Sequence, residues 1–197
     1  MTQRPAAFGR LGVLGAAALF STGGAAIKAC HLDNWQVAGF RSGIAVVFLL
    51  LVLPASRRGW TWRTLALAGV YAATLISFVA ANKLTTSANT IFLQSTAPLY
   101  LLLIGPWLLK ERVRRHDLIF MTALACGMAC FFVGKDTASM TAPDPTAGNA
   151  LALLSGVLWA FTIAGLRWSA ASGGGAESSA ALGNLVAFVV ISPRRYR

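Results

Sequence analysis

Charged residues are scarce in this sequence. Only 12% of its 197 residues are charged, and Asp and Glu together number 6, whereas about a quarter of the residues of a soluble domain are charged. So few charges argue against a water-soluble globular monomer. A hydrophobic share of 56% argues equally against a disordered chain, because disorder requires low hydrophobicity.

The sequence also lacks a complete set of metal ligands and any recognisable catalytic motif. Cys126 and Cys130 lie four residues apart in one apolar run, which is typical of a buried helical thiol pair, and a metal site would need more ligands than the distant His31 and His116 supply. The sequence has no carboxylate pair inside an apolar run, no Walker-type phosphate loop and no recognisable Ser-His-Asp set. It therefore predicts no enzyme, no metal, no cofactor and no ATP-driven pump.

The net charge of +11 does not form one basic patch, which argues against nucleic acid as a partner. The basic residues instead fall between apolar runs, as in a polytopic membrane protein whose partners are the lipid bilayer and a small-molecule substrate. About 20 apolar residues cross a bilayer, and seven runs qualify: 11–28, 36–54, 64–82, 88–109, 117–134, 148–166 and 178–193. The alternative for the first run is a cleaved signal peptide.

The runs predict an all-α, antiparallel transmembrane helix bundle in which consecutive helices are neighbours, since most connections are short. The long connection, residues 135–147, contains two prolines and is expected to be an exposed loop. With the N-terminus inside, ten Lys and Arg residues fall on the cytoplasmic side and three (Lys28, Lys83, Lys135) outside. This bias predicts a cytoplasmic N-terminus, although the basic tail at 194–197 would then lie outside.

Small residues recur at four-residue spacing, a pattern that lets helix backbones approach closely in lipid. They occur at Gly69 and Ala73, at Ala125 and Ala129, and at Gly156, Ala160 and Ala164. The chain also resembles itself: residues 20–28 (FSTGGAAIK) and 159–167 (WAFTIAGLR) both end in a base eight residues after an aromatic. Five spans separate the copies, so the second would insert upside down, as in secondary transporters. Chance similarity of short apolar strings is the alternative.

Residues 20–28, 40–43 (FRSG), 81–98 (ANKLTTSANTIFLQSTAP) and 108–113 (LLKERV) together resemble an EamA domain of the drug/metabolite transporter superfamily. The resemblance covers residues 8–134 well and 148–193 in part. It implies a first five-helix repeat at 1–134, an extracytoplasmic linker at 135–147 and part of an inverted second repeat at 148–197. Full-length relatives usually have ten helices in two such repeats and move small metabolites or drugs.

The resemblance therefore implies a permease or exporter that works by alternating access in a cytoplasmic membrane, most simply the bacterial inner membrane. The chain contains one complete repeat and only two helices of the second. An alternative is therefore a truncated or frame-shifted fragment that inserts into the membrane but does not transport. A homodimer of the five-helix half is another assembly, but it would require dual topology, which the charge bias disfavours. A receptor or a channel is a further alternative.

Arg41 is the strongest candidate for a substrate-pathway residue. It lies about five residues into the predicted second span, where a cation is costly and therefore functional by default. Snorkelling to the headgroups is the alternative, since about 7 Å separates it from the membrane edge. The resemblance favours a cavity role, because an arginine commonly starts this helix in the family. Such an arginine would attract an anionic substrate group.

The predicted fourth span carries a polar face, formed by Thr86, Asn89, Thr90 and Gln94. Pro98 follows on that face and frees the Gln94 carbonyl, so a polar, broken helix is expected to line the solute pathway. Ordinary interhelical hydrogen bonding is the alternative.

Four further residues are structural or gating candidates. Glu111 lies among cations at the membrane edge and suggests a salt bridge or latch. Trp159 and Arg167 are the repeat counterparts of Phe20 and Lys28. The sequence assigns no more specific structural or gating role to Lys28, Trp159 or Arg167.

Overall fold

The fold is a bundle of α-helices. The computed structural model describes residues 6–108, 114–130, 138–170 and 173–192. In that part of the chain no β-strand occurs, and eight α-helices follow one another, with a 3-10 helix at Pro54–Arg57 between the second and third. They are α1 (Ala6–Ala29), α2 (Asn34–Val52), α3 (Trp62–Leu84), α4 (Ser87–Gln94), α5 (Ala97–Leu108), α6 (Arg115–Cys130), α7 (Pro145–Ala170) and α8 (Ala176–Ile191).

Polar side chains decide where several helices begin. Asp33 and Thr61 form capping boxes at the starts of α2 and α3, so both helices begin two residues before the apolar runs do. The helix α7 begins at Pro145 rather than at the predicted position 148. Proline is compatible with a first helical turn, and the Asp144 carboxylate accepts a hydrogen bond from the Ala147 backbone N–H at 3.0 Å.

The length and apolar composition of the helices confirm the predicted membrane protein. Five helical stretches of the described residues are long and apolar enough to span a bilayer: 10–29, 34–52, 62–84, 87–106 and 145–170. The helices at the other two predicted spans, α6 and α8, have 16 described residues each. The last four residues of predicted span 117–134 lie outside the described residues. The chain is therefore an all-α polytopic membrane protein.

The predicted fourth span is not one continuous helix. It is divided into α4 and α5 at Ser95 and Thr96. There the Thr96 backbone N–H bonds the Leu93 carbonyl, and the Thr96 hydroxyl bonds the same carbonyl at 2.5 Å. The cause is Pro98, which cannot donate to the Gln94 carbonyl and whose ring crowds that turn.

Consecutive helices are not the main neighbours, contrary to the prediction from short connections. The most extensive interface joins α3 to α7, followed by those of α8 with α3 and α2, whereas α7 and α8 barely touch each other. The helix α7 also packs on α4 and α5. The two C-terminal helices therefore bury themselves against the N-terminal set rather than against each other.

A seam of small residues explains this choice. Positions 148, 152, 156, 160 and 164 of α7 are Gly or Ala, and all five are buried. A methyl group added at Gly156 would lie 2.9 Å from the Leu93 carbonyl oxygen. The backbones of α7 and α4 are therefore too close there for a side chain to fit between them. The predicted spacing at 156, 160 and 164 is thus confirmed as a packing surface. The pairs at 69 and 73 and at 125 and 129 are not buried.

Hydroxyl and amide groups join α3 and α7 along their whole antiparallel length. Such hydrogen bonds hold transmembrane helices together, because lipid offers polar groups no other partner. Three side-chain pairs make them: Thr64 with Ser169 at 3.3 Å, Thr74 with Thr162 at 3.3 Å, and Thr85 with Asn149 at 2.8 Å.

Replacing Asn149 with alanine should destabilise the bundle by about 1 kcal/mol. The Asn149 amide oxygen accepts from both the Thr85 hydroxyl and, at 3.2 Å, the Asn89 amide. Its loss leaves the Thr85 hydroxyl without this acceptor and the Asn89 amide with a 3.4 Å contact to that hydroxyl. Unfolding of the purified protein in mixed micelles measures the change. Thr122→Ala is the control, since that exposed hydroxyl bonds only its own helix at Leu118. Equal effects of the two variants would contradict the prediction.

Candidate functional site

A cavity of about 540 Å³ lies among α1, α2 and α3, closed on its far sides by Gln94 of α4 and Trp159 of α7. This volume is within the usual range for small-molecule sites. Most of its wall is apolar and aromatic. Its polar lining residues are Arg41, Tyr71, Thr74 and Gln94, and its aromatic ones include Phe20, Phe40, Phe78 and Trp159.

The cavity reaches the middle of the spanning helices. Tyr71 and Thr74 lie near the centre of α3, and Trp159 lies near the centre of α7. From there the cavity extends past Arg41 to Cys30, at the end of α1. Substrate sites of secondary transporters lie at this mid-membrane depth, between repeats.

Arg41 contributes the positive charge of this wall. Because α2 begins at Asn34, Arg41 stands seven residues inside the helix, or about 10 Å along its axis, deeper than the sequence suggested. Its guanidinium carbon lies 6.0 Å from the centroid of the Phe78 ring, as in a cation–π contact. The exposed surface of Arg41 lines the cavity, so an anionic group inside the cavity can reach it.

Tyr71 lines the same cavity as Arg41 and faces the C-terminal helices. Its ring lies 6.3 Å from that of Trp159 in α7. A methyl group at Gly183 would come within 2.3 Å of the Tyr71 ring, so the glycine lets α8 seat this tyrosine. Sequence reasoning missed Tyr71 because an aromatic residue in an apolar run looks like ordinary core.

The polar residues predicted on the fourth span occupy different places. Gln94 lines the cavity. Thr86 caps α4, and the Thr90 hydroxyl bonds the Thr86 carbonyl. Asn89 points to α7, where its amide donates to Asn149, and Pro98 is exposed near the start of α5. Of these five residues, the structure therefore brings Gln94 to the cavity. Asn89 instead forms a hydrogen bond between α4 and α7.

Of the remaining candidates within the described residues, Lys28 and Arg167 lie at helix ends and Trp159 does not. Trp159 lines the cavity. The Lys28 ammonium group donates to the Thr141 carbonyl of the 138–144 loop, and the neighbouring Lys83 donates to the Cys30 carbonyl at 2.6 Å. Arg167 is exposed in the last turn of α7. Glu111 lies outside the described residues.

Among the described residues, no three His, Cys, Asp or Glu side chains come together as metal ligands would. The cavity lining provides one guanidinium, a phenol, a hydroxyl, a thiol, an amide and a large aromatic surface. These groups can bind a solute through charge, hydrogen bonds and ring stacking.

An α-helical polytopic membrane protein with a solute-sized cavity at mid-membrane depth has the architecture of a membrane transporter. The model of the EamA-like transporter family matches residues 7–133, about two thirds of the chain. The chain therefore belongs to the EamA-like transporter family, a membrane transporter family of the drug/metabolite type. No curated protein and no solved structure matches the chain significantly.

Proposed function

We propose that this protein is a secondary transporter that carries small metabolites or drugs across the cytoplasmic membrane by alternating access. The observation that supports it is the cavity of about 540 Å³, which reaches mid-membrane depth in a member of a transporter family. The cavity lies among α1, α2 and α3 and includes Trp159 of α7, so helices of both proposed repeats contribute to it, and substrate sites of secondary transporters lie at such interfaces.

The lining favours an anionic solute with an apolar, preferably aromatic, body. Arg41 is the charged side chain of the described lining, and no acidic side chain accompanies it there. A carboxylate or phosphate would form charge-assisted hydrogen bonds with the guanidinium. The aromatic walls would then bury the rest of the molecule, and each such contact adds apolar area and ring stacking.

The charge distribution supports a cytoplasmic N-terminus, with efflux from a bacterial inner membrane as the simplest setting. In that orientation Lys28, Lys83 and the 138–144 loop lie on the outer side, as does Cys30 at that end of the cavity. The Lys28–Thr141 and Lys83–Cys30 hydrogen bonds would then tie the outer ends of α1, α3 and this loop together. Their breaking would accompany outward opening.

A matched pair of probes tests the substrate class. Indole-3-acetate and indole-3-acetamide share one aromatic body and differ mainly in charge. We expect the acid to stabilise the detergent-purified protein against heating and to cross proteoliposomes that contain it. The amide should do both at least about tenfold more weakly, because it lacks the ionic bond to Arg41.

Empty liposomes measure leakage of each probe, and the amide controls for unspecific partition into the apolar cavity. Equal transport of acid and amide above leakage would retain the transporter and overturn the anionic substrate class. Binding of neither probe, together with no flux of either, would contradict the proposed function for these solutes.

A further inference from the structure

Outside the cavity, the most distinctive surface is a basic-aromatic patch where the N-terminal end of α3 meets the C-terminal end of α7. We define it by Arg57, Arg58, Arg63, Trp62 and Trp168. The patch belongs to one folded unit, because the 3-10 helix packs on α8, and a methyl group at Gly59 would lie 2.8 Å from the Gly173 carbonyl oxygen.

Two indole rings hold Arg63 in the centre of this patch. Its guanidinium carbon lies 4.9 Å from the centroid of the Trp168 ring and 5.8 Å from that of Trp62. The two rings meet edge to face at 5.0 Å. One guanidinium nitrogen donates to the Trp168 carbonyl at 3.5 Å. This stacking bridges α3 and α7 and fixes the direction of a planar, multidentate donor.

Among the described residues one acidic residue, Glu177 in the first turn of α8, lies near the three arginines, so the patch keeps a net positive charge. Arg57 and Arg58 are exposed, and within the described ranges no ion pair to an acidic side chain is found for either of them or for Arg63. Arg57 uses its Nε to donate to the Leu50 carbonyl at 2.5 Å, which holds the guanidinium beside the end of α2. Three arginines on one short surface therefore create a field that attracts an anion.

The surroundings favour a lipid over a free anion. The patch lies at the ends of two membrane-spanning helices, where exposed Trp side chains typically sit among headgroups. Below it, α3 continues with Leu65, which is 59% exposed, and Gly69, which has open space where a side chain would be. A phosphate held by the arginines would thus have its acyl chain directed along an open apolar strip.

We propose that this patch binds the phosphate headgroup of one anionic phospholipid, whose acyl chain lies along Leu65 and Gly69 of α3. Basic pockets between transmembrane helices recognise such headgroups. The bound lipid joins the two helices that form the largest interface of the bundle. It therefore stabilises the fold, independently of whatever solute occupies the cavity.

Native mass spectrometry of the full chain, released from micelles doped with phosphatidylglycerol or phosphatidylcholine, tests this proposal. We expect retention of one phosphatidylglycerol, a higher melting temperature with that lipid, and at least about tenfold weaker retention of phosphatidylcholine. The double variant R57Q/R58Q should lose most of this preference while leaving the Arg63–tryptophan stack in place. The variant R63Q, which removes the guanidinium from between the two indole rings, tests whether this stack is needed for lipid retention.

The matched control is R114Q/R115Q, which removes the same charge from an exposed basic pair at the start of α6, away from the patch. It should keep the lipid preference. Equal losses in the two double variants would overturn the proposal, because net charge alone would then explain retention. Inorganic phosphate that stabilises the protein as well as phosphatidylglycerol does would also overturn it and indicate a free-anion site.

Discussion

Replacing Arg41 with alanine should lower the affinity for indole-3-acetate by at least roughly 30-fold and abolish its transport. Removing one partner of a buried charge pair costs about 2 kcal/mol or more, which corresponds to that factor. The carboxylate would otherwise enter an apolar cavity of about 540 Å³ with no charged partner. Binding is measured by the ligand-dependent melting temperature, and transport by uptake into proteoliposomes.

Two controls separate this effect from misfolding. Arg114→Ala removes an exposed arginine far from the cavity and should leave binding unchanged. Arg41→Lys keeps the charge but loses the planar, bidentate donor, so it should fall between the wild type and alanine. The membrane yield of Arg41→Ala should match that of the wild type. Unchanged affinity for the acid in Arg41→Ala would remove this residue from the site.

Replacing Gly148 with alanine should be the most damaging single methyl addition in the bundle. The new carbon would lie 2.6 Å from both the backbone nitrogen and the Cβ of Thr85, and 2.9 Å from the carbonyl carbon of Leu84. Backbone atoms cannot rotate away, so α7 must move off the end of α3. Overpacking of this kind costs about 1–3 kcal/mol, and occasionally more. Unfolding in mixed micelles gives the value.

Gly69→Ala is the matched control, because it makes the same substitution inside α3 at a position with nothing within 4 Å. It should be neutral or stabilising by up to about 1 kcal/mol, since alanine has the higher helix propensity. A similar loss of stability in both variants would show that glycine flexibility matters rather than close approach. Unchanged stability of the Gly148→Ala protein would contradict the close approach of α7 to the end of α3 at this position.

The sequence predicted some parts of the site and missed others for physical reasons. Arg41 stood out because a charge in an apolar run is costly. Tyr71 and Phe78 did not, because aromatic residues occur in lipid-facing, core and ligand-binding positions alike. The residues of the fourth span shared one face on a helical wheel. In the structure Thr86 caps α4, the Thr90 hydroxyl bonds the Thr86 carbonyl and Asn89 donates to Asn149. Of these residues, therefore, only Gln94 lines the cavity.

Composition and periodicity by themselves determined that the chain is helical, is apolar enough for a membrane and carries a cation, Arg41, inside a predicted span. These properties depend on the energy of transferring each residue into lipid, which is local to the sequence. Which helices become neighbours was decided by tertiary structure alone. In lipid no hydrophobic force selects partners, so close packing at Gly148 and Gly156 placed α7 on α3 and α4, where the cavity closes at Trp159.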